Sequence, residues 1–256
     1  MIDRTLFGDI DIVQVAIDLL QELEPPEGYY LAFSGGKDSV VIKELANMAG
    51  VKYDAHYNLT TIDPPELVYF IRDYHPDVII DRPEMPLLKM LAKKGFSQRQ
   101  RRWCCAKYKE RGGKGRYILT GIRYAESSGR KIRGQVETCY NDKSKQFVHP
   151  IIGWSDSQVW RFIEKHNLPY CKLYDEGWKR VGCLFCPLAG SHRKTEVELY
   201  PKYKDAFIRA FKRLYDAKKA EGKTSVDRWK DGEEMFWWWI REDRKSDDPD
   251  QTVLFE

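Results

Sequence analysis

A six-residue segment, Ser34 to Ser39, carries residue types that hold phosphate groups in proteins. It reads Ser-Gly-Gly-Lys-Asp-Ser, follows an apolar run and precedes a run typical of a helix. Glycines let the backbone approach a ligand closely, and successive amides at a helix N-terminus attract an anion. A generic tight turn would need neither the paired serines nor the helix directly behind them. We therefore expect a phosphate cradle, distinct from a Walker motif, formed by Ser34, Gly35, Gly36, Lys37, Asp38 and Ser39.

Four of the six cysteines stand in two close pairs, as the ligands of a metal centre often do. Cys104 and Cys105 are adjacent, and Cys183 and Cys186 form a C-x-x-C far downstream. Four thiolates can hold zinc or an iron–sulfur cluster. Zinc sites more often use two C-x-x-C pairs, and a C-x-x-C alone is also the pattern of a redox dithiol. The spacing therefore favours ligation but leaves the metal open.

The charges are unevenly distributed along the chain. From Lys89 to Arg116 there are eleven basic residues and one acid, Glu110, although the whole sequence has 43 lysines and arginines against 39 acids. A solvated helix face would usually interleave acids among the bases. A basic block of this kind suits a phosphate-bearing partner, and we expect tRNA or DNA to bind through residues 89–116.

The composition is that of an ordinary globular protein of one or two domains. The chain has 256 residues, of which 42% are hydrophobic and 32% are charged. It has no apolar run of about 18 residues, so we expect no membrane span. Because Met1–Arg4 lacks the basic and apolar regions of a signal peptide, we expect a cytoplasmic protein. Its paired cysteines would then serve as ligands or catalysts rather than as disulfides.

Short apolar runs alternate with helical patterns along much of the chain. This alternation predicts an α/β fold with a doubly wound, mostly parallel sheet. The predicted strands are Tyr29–Phe33, Val51–Tyr57, Val78–Ile80 and Arg116–Thr120. The predicted helices cover residues 10–23, 40–50 and 64–75, and another follows the capping-box sequence Ser155–Gln158.

The remaining segments have weaker patterns. Residues 135–146 are predicted to form a polar loop, and the chain from about residue 190 is predicted to be helical. Within that helical part, the aromatic cluster 236–239 is expected to pack in a core rather than to stack on bases. The acidic segment 243–250 is expected to be frayed.

Several of these motifs together resemble a known family. The segment 34–39 resembles the phosphate loop of the PP-loop adenine-nucleotide alpha hydrolases, which bind ATP or adenylyl sulfates and act at the α-phosphate. Adjacent cysteines followed by a distant C-x-x-C resemble the 4Fe–4S signature of the phosphoadenylyl-sulfate (PAPS) and adenylyl-sulfate reductase branch. Similar stretches cover Leu119–Arg123, His149–Ser155 and Leu168–Cys183, so the resemblance spans the chain from Tyr29 to Pro187.

The resemblance implies a fold and a set of site residues. It implies a Rossmann-like nucleotide-binding domain over residues 1–188 with a helical extension over residues 189–256. Lys109 falls where these enzymes carry a lysine between cluster and substrate, and the Arg123 guanidinium suits phosphate or sulfate oxygens. Both are predicted catalytic residues. The implied ligands of a 4Fe–4S cluster are Cys104, Cys105, Cys183 and Cys186, and the further nucleotide-binding residues are Thr60, Thr61 and Gly121.

Two departures from the family pattern bear on function. Reductases of this family end in a Glu-Cys-Gly-Leu-His tail whose cysteine attacks sulfur, and no cysteine follows Cys186 in this sequence. The spare cysteines Cys139 and Cys171 are expected to be incidental, although Cys139 lies in a polar segment and could be reactive. The segment Asn58–Thr61 lacks an aspartate that relatives often carry, but its two threonines could still bond the adenosine.

Three hypotheses follow from these patterns. In the first, an iron–sulfur enzyme cleaves ATP at the α-phosphate and adenylates or thiolates an acceptor. Amides and Mg²⁺ would take the departing pyrophosphate, while Arg123 and Lys109 neutralise the α-phosphate. The second is a true PAPS or adenylyl-sulfate reductase with its nucleophilic thiol supplied from elsewhere, and the third is a non-catalytic nucleotide-binding module. The missing terminal cysteine favours the first hypothesis.

The hypotheses also define the expected partners. These are an adenine nucleotide (ATP or an adenylyl sulfate), a nucleic-acid acceptor, a sulfur donor or a thioredoxin-like reductant, and a further copy of the chain in a homo-oligomer. His149 and His192 are expected to have structural or phosphate-contacting roles rather than catalytic ones.

Overall fold

The computed structural model describes residues 1–5, 8–140, 142–189 and 192–241. The predicted frayed segment 243–250 lies outside these residues. The strands are β1 (Ile2–Thr5), β2 (Gly8–Asp11), β3 (Tyr29–Ala32), β4 (Tyr53–Asn58), β5 (Ile79–Asp81), β6 (Tyr117–Leu119), β7 (Val136–Thr138) and β8 (Gln146–Val148). The α-helices are α1 (Ile12–Glu22), α2 (Lys37–Ala49), α3 (Pro65–Tyr74), α4 (Leu87–Lys94), α5 (Asp156–Lys165), α6 (His192–Leu199), α7 (Pro201–Ala220) and α8 (Gly232–Arg241).

The chain divides into two compact units. The sheet unit consists of Met1–Asn58, Pro65–Asp81 and Arg111–Val181. The helical unit consists of Leu59–Pro64, Arg82–Glu110 and Gly182–Glu256. This division differs from the predicted boundary at residue 188, because residues 59–64 and 82–110 group with the C-terminal helices.

The sheet unit is organised around a six-stranded sheet with the order β5-β4-β3-β6-β8-β7 in its described residues. All neighbours are parallel except β7 and β8, which are antiparallel at one edge. The central strand β3 is covered on both faces, and Tyr29 and Leu31 are fully buried, as expected of an inner strand of an α/β sheet. The predicted α/β fold with a mostly parallel sheet is confirmed.

Local sequence signals account for most element boundaries in the sheet unit. Asp11 caps α1 by accepting a hydrogen bond from the amide of Val13. Gly50 ends α2 in the left-handed conformation. The predicted capping box is present at α5, where Ser155 and Gln158 bond each other's backbone amides.

The prediction of a polar loop at residues 135–146 is wrong. Val136–Thr138 pairs with Gln146–Val148 as an antiparallel edge hairpin, in which Glu137 lies opposite Phe147. Short edge strands often carry charged and polar residues that prevent pairing with other chains. The same polarity hides such strands from an analysis based on apolar runs.

The helical unit packs α7 against α4 and α8 around an aromatic core. Phe207 and Phe211 of α7 contact the Trp239 ring at centroid distances of 5.8 and 5.3 Å. Phe236 is fully buried, and Trp239 is 2% exposed. The expected packing role of the cluster 236–239 is therefore confirmed for these two residues. Among the described residues, no helix has the length and apolar character needed to cross a membrane.

Candidate functional site

The turn between β3 and α2 has a backbone that requires glycine at its second position. Gly35 has a φ of 72°, in the left-handed region. A Cβ there would lie 2.5 Å from the Leu67 side chain and 2.8 Å from that of Ile71, both on α3. Only glycine fits without displacing these side chains. The packing of α3 thus determines how closely the turn is folded.

Hydrogen bonds within the sheet unit order the predicted phosphate cradle. Ser34 Oγ donates to Ser39 Oγ at 3.3 Å, and Ser39 Oγ donates to the carbonyl of Gly36 at 2.8 Å. The amide of Lys37, at the first position of α2, donates to the hydroxyl of Tyr174 at 3.0 Å. The start of α2 also carries the partial positive charge of a helix N-terminus. The paired serines and the helix start are therefore fixed together, as an anion cradle requires.

Arg123 links this turn to α5 through ion pairs. Its Nε donates to Asp38 at 2.6 Å, its Nη2 donates to Asp156 at 2.6 Å, and its Nη1 donates to the carbonyl of Trp154 at 3.1 Å. The Lys37 ammonium lies 3.3 Å from Asp38 and 3.4 Å from Asp156. Two cations and two carboxylates therefore meet beside the start of α2, and Arg123 is only 1% exposed.

This network changes what can be expected of Arg123. Its guanidinium already donates to two carboxylates and a carbonyl, so its observed role is to hold Asp38 and Asp156. Burial opposes ionisation of Asp156, but the hydrogen bond from Arg123 and the charge of Lys37 lower its pKa. Direct contact of Arg123 with a phosphate stays a prediction.

Gly121 belongs to the same neighbourhood for a steric reason. A Cβ on Gly121 would lie 2.7 Å from the Cβ of Asp38, so glycine makes room for this carboxylate. Next to it, Thr120 Oγ1 lies 2.6 Å from His149 Nδ1, and His149 Nε2 lies 3.1 Å from Glu137. His149 is fully buried, and burial lowers its pKa. This geometry agrees with the expected structural role of His149.

The helical unit brings the four paired cysteines into one neighbourhood. A hydrogen bond between the adjacent thiols lowers the pKa of Cys104 and raises that of Cys105. The Cys104 sulfur also interacts electrostatically with Cys183 and Cys186. All four cysteines are free of disulfides. Two segments far apart in the sequence therefore present sulfur atoms to each other, and the role of the four cysteines as metal ligands stays a prediction.

Lys109 lies in this cysteine cluster, at the end of the helical turn that begins at Cys105. The residue as a whole is exposed, while its ammonium group lies near Cys183, whose negative charge, followed by those of Asp63 and Cys186, raises the pKa of Lys109. Burial raises the pKa of Cys183 to about 11, while the Lys109 charge works in the opposite direction. The lysine thus provides the positive charge that favours a thiolate at Cys183.

Asp63 is a residue of this cluster that the sequence analysis missed. It is 4% exposed, its Oδ2 accepts from the amide of Thr60 at 2.7 Å, and its Oδ1 lies 3.9 Å from the Cys183 sulfur. Its short distance in sequence from the two threonines was the available signal, since Asx residues often bond a nearby backbone amide.

Thr60 and Thr61 form hydrogen bonds with other residues of the helical unit. Cys183 Sγ donates to Thr60 Oγ1 at 3.4 Å, and Thr60 is 1% exposed. Thr61 has a φ of 69°, and its Oγ1 accepts from the amide of Leu87 at 2.9 Å. Their contact with an adenosine stays a prediction, whereas the structure places Thr60 beside a cysteine sulfur.

The donor set of the cysteine cluster suits a soft metal centre. Thiolates bind zinc, copper(I) and iron–sulfur clusters in preference to hard cations, and Lys109 lies near the sulfurs of Cys183 and Cys186. Within the described ranges, no group of three or more His, Cys, Asp or Glu side chains is arranged to hold a single metal ion.

The basic block divides between the two units. In the sheet unit, Arg111 donates to Asn58 and to the carbonyl of Asp81, and Arg116 pairs with Asp54. These two arginines therefore stabilise contacts within the sheet unit. In the helical unit the basic residues of the block are exposed: Lys89, Lys93, Lys94, Arg99, Arg101, Arg102, Lys107 and Lys109.

Comparison with protein families identifies the chain at the level of a domain. Residues 28–189 match the profile of the phosphoadenosine phosphosulfate reductase domain. The chain belongs to this family. The matched range contains the cradle, both cysteine pairs and Arg123, so the phosphoadenosine phosphosulfate reductase domain includes every predicted site residue.

Individual relatives of this reductase-domain protein are distant. An uncharacterized protein of Methanocaldococcus jannaschii is 28% identical over 209 residues, which are 72% of this chain and 48% of that protein. An adenosine 5'-phosphosulfate reductase of Bacillus cytotoxicus is 36% identical over 70 residues, which are 27% of this chain and 30% of the reductase. The chain spans about half the length of the archaeal relative and less of the bacterial one.

A solved structure shares the fold of the domain. The crystal structure of phosphoadenylyl-sulfate reductase from Candida auris, a phosphate complex, has a TM-score of 0.51 at 20% identity. The match covers 68% of this chain and 88% of the yeast protein. The shared fold agrees with the parallel sheet described above.

Proposed function

We propose that this protein binds an adenine nucleotide and acts at its α-phosphate, as an ATP pyrophosphatase that activates an acceptor for sulfur transfer. The observation that carries the proposal is the ordered serine–glycine turn at the start of α2, at the carboxyl end of the central strand β3. Ligands of open α/β sheets bind outside the carboxyl ends of the strands. In a member of the phosphoadenosine phosphosulfate reductase domain family, such a cradle suits the phosphates of an adenylate.

The reaction needs little covalent chemistry from the protein. A lone pair of the acceptor would attack the α-phosphorus, the bond to the bridging oxygen would break, and pyrophosphate would leave with the electron pair. Catalysis then consists of positioning and charge stabilisation. The amides and hydroxyls of residues 34–39 would hold the phosphates, and Arg123 would keep Asp38 in place. Mg²⁺ prefers carboxylate and phosphate oxygens, and Asp38 and Asp156 are the carboxylates that would hold it here.

The cysteine cluster supports a second part of the proposal, a 4Fe–4S cluster on Cys104, Cys105, Cys183 and Cys186. Four thiols in electrostatic contact, two of them beside a cationic lysine, form a donor set suited to an anionic iron–sulfur centre. When bound, the cluster would supply electron transfer or sulfur to the reaction. Lys109 would balance its charge, and Thr60 would hold the Cys183 sulfur in position.

The exposed part of the basic block supports a nucleic-acid acceptor. Its basic side chains lie at the surface of the helical unit, where Arg101 and Arg102 are adjacent and exposed. Exposed lysines and arginines provide the sequence-independent attraction to phosphate backbones that brings a nucleic acid to an enzyme. The acceptor would be tRNA or DNA.

The alternative is a true adenylyl-sulfate or phosphoadenylyl-sulfate reductase, which requires an attacking thiolate. Cys171 is fully buried, and burial raises its pKa, so it does not suit this role. Cys139 is half-buried and directly follows the edge strand β7. The nucleophile of a reductase would have to come from a different source.

The test is pyrophosphate release from ATP by anaerobically purified protein. We expect release by the wild type and its loss in Ser34→Ala with Ser39→Ala, while Ser225→Ala, an exposed serine in the helical unit, leaves it unchanged. Equal release by the cradle variant would overturn the proposal. Sulfite release from an adenylyl sulfate in the presence of thioredoxin, without pyrophosphate release from ATP, would establish the reductase alternative.

The cluster is tested separately by absorbance and iron content. We expect brown protein whose broad absorbance near about 400 nm is lost in Cys104→Ser and in Cys186→Ser. Colourless protein with stoichiometric zinc would show that the four thiols hold a different metal.

A further inference from the structure

The loop that carries the second cysteine pair contains an unusual backbone conformation. Phe185, between Cys183 and Cys186, has a φ of 57°, which L side chains other than those of Asn and Asp rarely adopt. Its ring is fully buried and packs against Phe207 at a centroid distance of 4.9 Å. A bulky residue in this conformation persists only when its surroundings hold it there.

Two charged side chains of α6 hold the peptide groups on either side of this residue. The amide of Phe185 donates to Glu196 Oε2 at 2.5 Å, and Arg193 Nε donates to the carbonyl of Phe185 at 3.2 Å. Glu196 and Arg193 are three residues apart on α6, so they lie on the same face of the helix. They are 2% and 5% exposed. The Arg193 guanidinium also lies 4.2 Å from the centre of the Trp239 ring.

Hydrogen bonds from other segments complete the support of the loop. The amide of Leu184 donates to the carbonyl of Ile62 at 2.8 Å, and the amide of Ala189 donates to the carbonyl of Cys186 at 2.9 Å. The backbone from Leu184 to Cys186 is therefore held by protein groups at successive positions. Protein groups alone therefore provide hydrogen bonds along the backbone of the C-x-x-C loop.

Burying the carboxyl group of Glu196 is energetically unfavourable, and its bond to the loop backbone accounts for its presence there. Burial raises the pKa of Glu196 to about 7, although the Phe185 amide and Arg193 favour the carboxylate. An apolar side chain of similar size would usually fit such a place at lower cost. A buried carboxylate with a backbone amide as its partner instead specifies one loop conformation.

We propose that Glu196 and Arg193 are positioning residues that clamp the Phe185 peptide groups and thereby fix the separation of the Cys183 and Cys186 sulfurs. The proposal rests on the proposed function in one respect, because it treats these two cysteines as metal ligands. Both side chains bond the backbone groups of Phe185. Their effect reaches the sulfurs through the backbone, so it exists in the metal-free chain.

The first experiment measures thiol reactivity in the full chain, reduced and free of metal. Each cysteine's rate of alkylation by iodoacetamide is followed by peptide mass spectrometry, with Cys139 in the sheet unit as the internal reference. In Glu196→Leu we expect Cys183 and Cys186 to react about tenfold faster relative to Cys139, the factor that corresponds to losing one hydrogen bond to a charged group.

Two variants control this measurement. Glu196→Gln keeps an acceptor for the Phe185 amide and is expected to react like the wild type. Glu198→Leu makes the same change at an exposed position of α6 and is also expected to react like the wild type. An unchanged ratio in Glu196→Leu, or an equal rise in Glu196→Gln, would overturn the proposal. If Glu196→Leu does not fold, Arg193→Met removes the other half of the clamp, and an unchanged ratio in that variant would have the same meaning.

The second experiment measures how firmly the loop holds iron. After anaerobic reconstitution, we expect a chelator to remove iron several-fold faster from Glu196→Leu than from the wild type or Glu196→Gln. Iron loss at the wild-type rate would count against the clamp. A wild-type chain that takes up no iron would refute the proposed cluster, while the alkylation ratios would still decide the positioning role.

Discussion

The cradle and the cysteine cluster are built in opposite ways. The cradle comes from six consecutive residues, and its serines bond each other or the backbone within the same turn. The cysteine cluster comes from separate segments of the helical unit, including residues 59–64, the turn that ends at Lys109, the C-x-x-C loop and α6. A contiguous motif can be identified from its sequence. A site assembled from distant segments depends on tertiary contacts that residue spacing does not reveal.

The two sites also neutralise charge differently. Beside the cradle, carboxylates and cations alternate, so Arg123 and Lys37 are paired with Asp38 and Asp156. In the cysteine cluster the sulfurs face one lysine, and Glu196 is buried behind the loop. Beside the cradle, the two carboxylates thus each have a cation within 4 Å, whereas the cluster carries thiols whose charge a metal centre would change.

The largest expected effect breaks the charge balance beside the cradle. Arg123→Met would leave Lys37 as the remaining cation beside Asp38 and would also remove the donor to the Trp154 carbonyl, and losing one member of a buried pair together with this hydrogen bond costs about 4 kcal/mol of unfolding free energy. Exposed Asp156 contributes little to this figure. The measurement is urea unfolding, with Arg209→Met at an exposed position of α7 as the control. Equal stability of the two variants would show that the ion pairs beside the cradle contribute nothing.

A second prediction concerns how the stability of the sheet unit depends on pH through one histidine, His75. Burial, together with the charge of Lys43, lowers the pKa of His75 to about 4. Between pH 6.5 and pH 4, His75 therefore binds a proton in the unfolded chain but not in the folded chain. The stability that His75 contributes is lost as the pH falls through this range. The loss amounts to about 3 kcal/mol.

The pH prediction is tested by the unfolding free energy of the wild type and of His75→Gln at several pH values between these limits. Since glutamine does not titrate, the slope of stability against pH should be smaller in the variant. Parallel slopes in the two proteins would assign the acid sensitivity to other groups.

A third prediction distinguishes the two effects that would destabilise an alanine at Gly35, the steric contact with α3 and the positive φ. Gly35→Ala meets the α3 side chains and also has a positive φ, so we expect a loss of about 2 kcal/mol. Gly50→Ala, at a φ of 68° with no atom within 4 Å of its Cβ, should lose only about 1 kcal/mol. Thermal unfolding of both variants measures the difference, and identical losses would mean that α3 does not constrain the turn.

Much of the sheet unit could be predicted from the sequence because its signals are local. The apolar runs predicted four of the parallel strands, and Ser155–Gln158 predicted the start of α5. The edge strand Val136–Thr138 could not be found, since its polar residues suit an exposed edge. The contacts of Arg111 and Arg116 within the sheet unit could not be predicted, because their partners Asn58, Asp81 and Asp54 are distant in sequence.

The cysteine cluster was predicted only in part. The pairing of the cysteines indicated ligands, and their thiols do interact in the structure. Asp63 was missed although the Thr60 amide that it accepts from is only three residues away. Glu196 and Arg193 were missed because they bond the backbone of Phe185 from a separate helix. No periodicity or spacing reports such a contact. Roles in binding a nucleotide or a metal stay predictions for every residue of both sites.

The smallest expected effect concerns the exposed part of the basic block. Arg101→Ala with Arg102→Ala should weaken binding of tRNA or DNA modestly and reduce the salt dependence of the affinity by roughly two phosphate contacts. Lys52→Ala with Lys143→Ala, two exposed lysines of the sheet unit, is the matched control. The experiment is a titration at several salt concentrations. An equal decrease in both double variants would indicate attraction by net charge alone.

The hydroxyl of Tyr174 has a consequence for how an anion could enter the cradle. The Lys37 amide, the first of α2, already donates to the neutral Tyr174 hydroxyl. An incoming oxyanion that accepted from this amide would therefore have to displace that hydroxyl. Binding would then exchange one acceptor for another, and its strength would reflect the preference of the amide for a charged oxygen over an uncharged one. In Tyr174→Phe the phenolic oxygen is removed, so an anion would bind the Lys37 amide without competition from this hydroxyl.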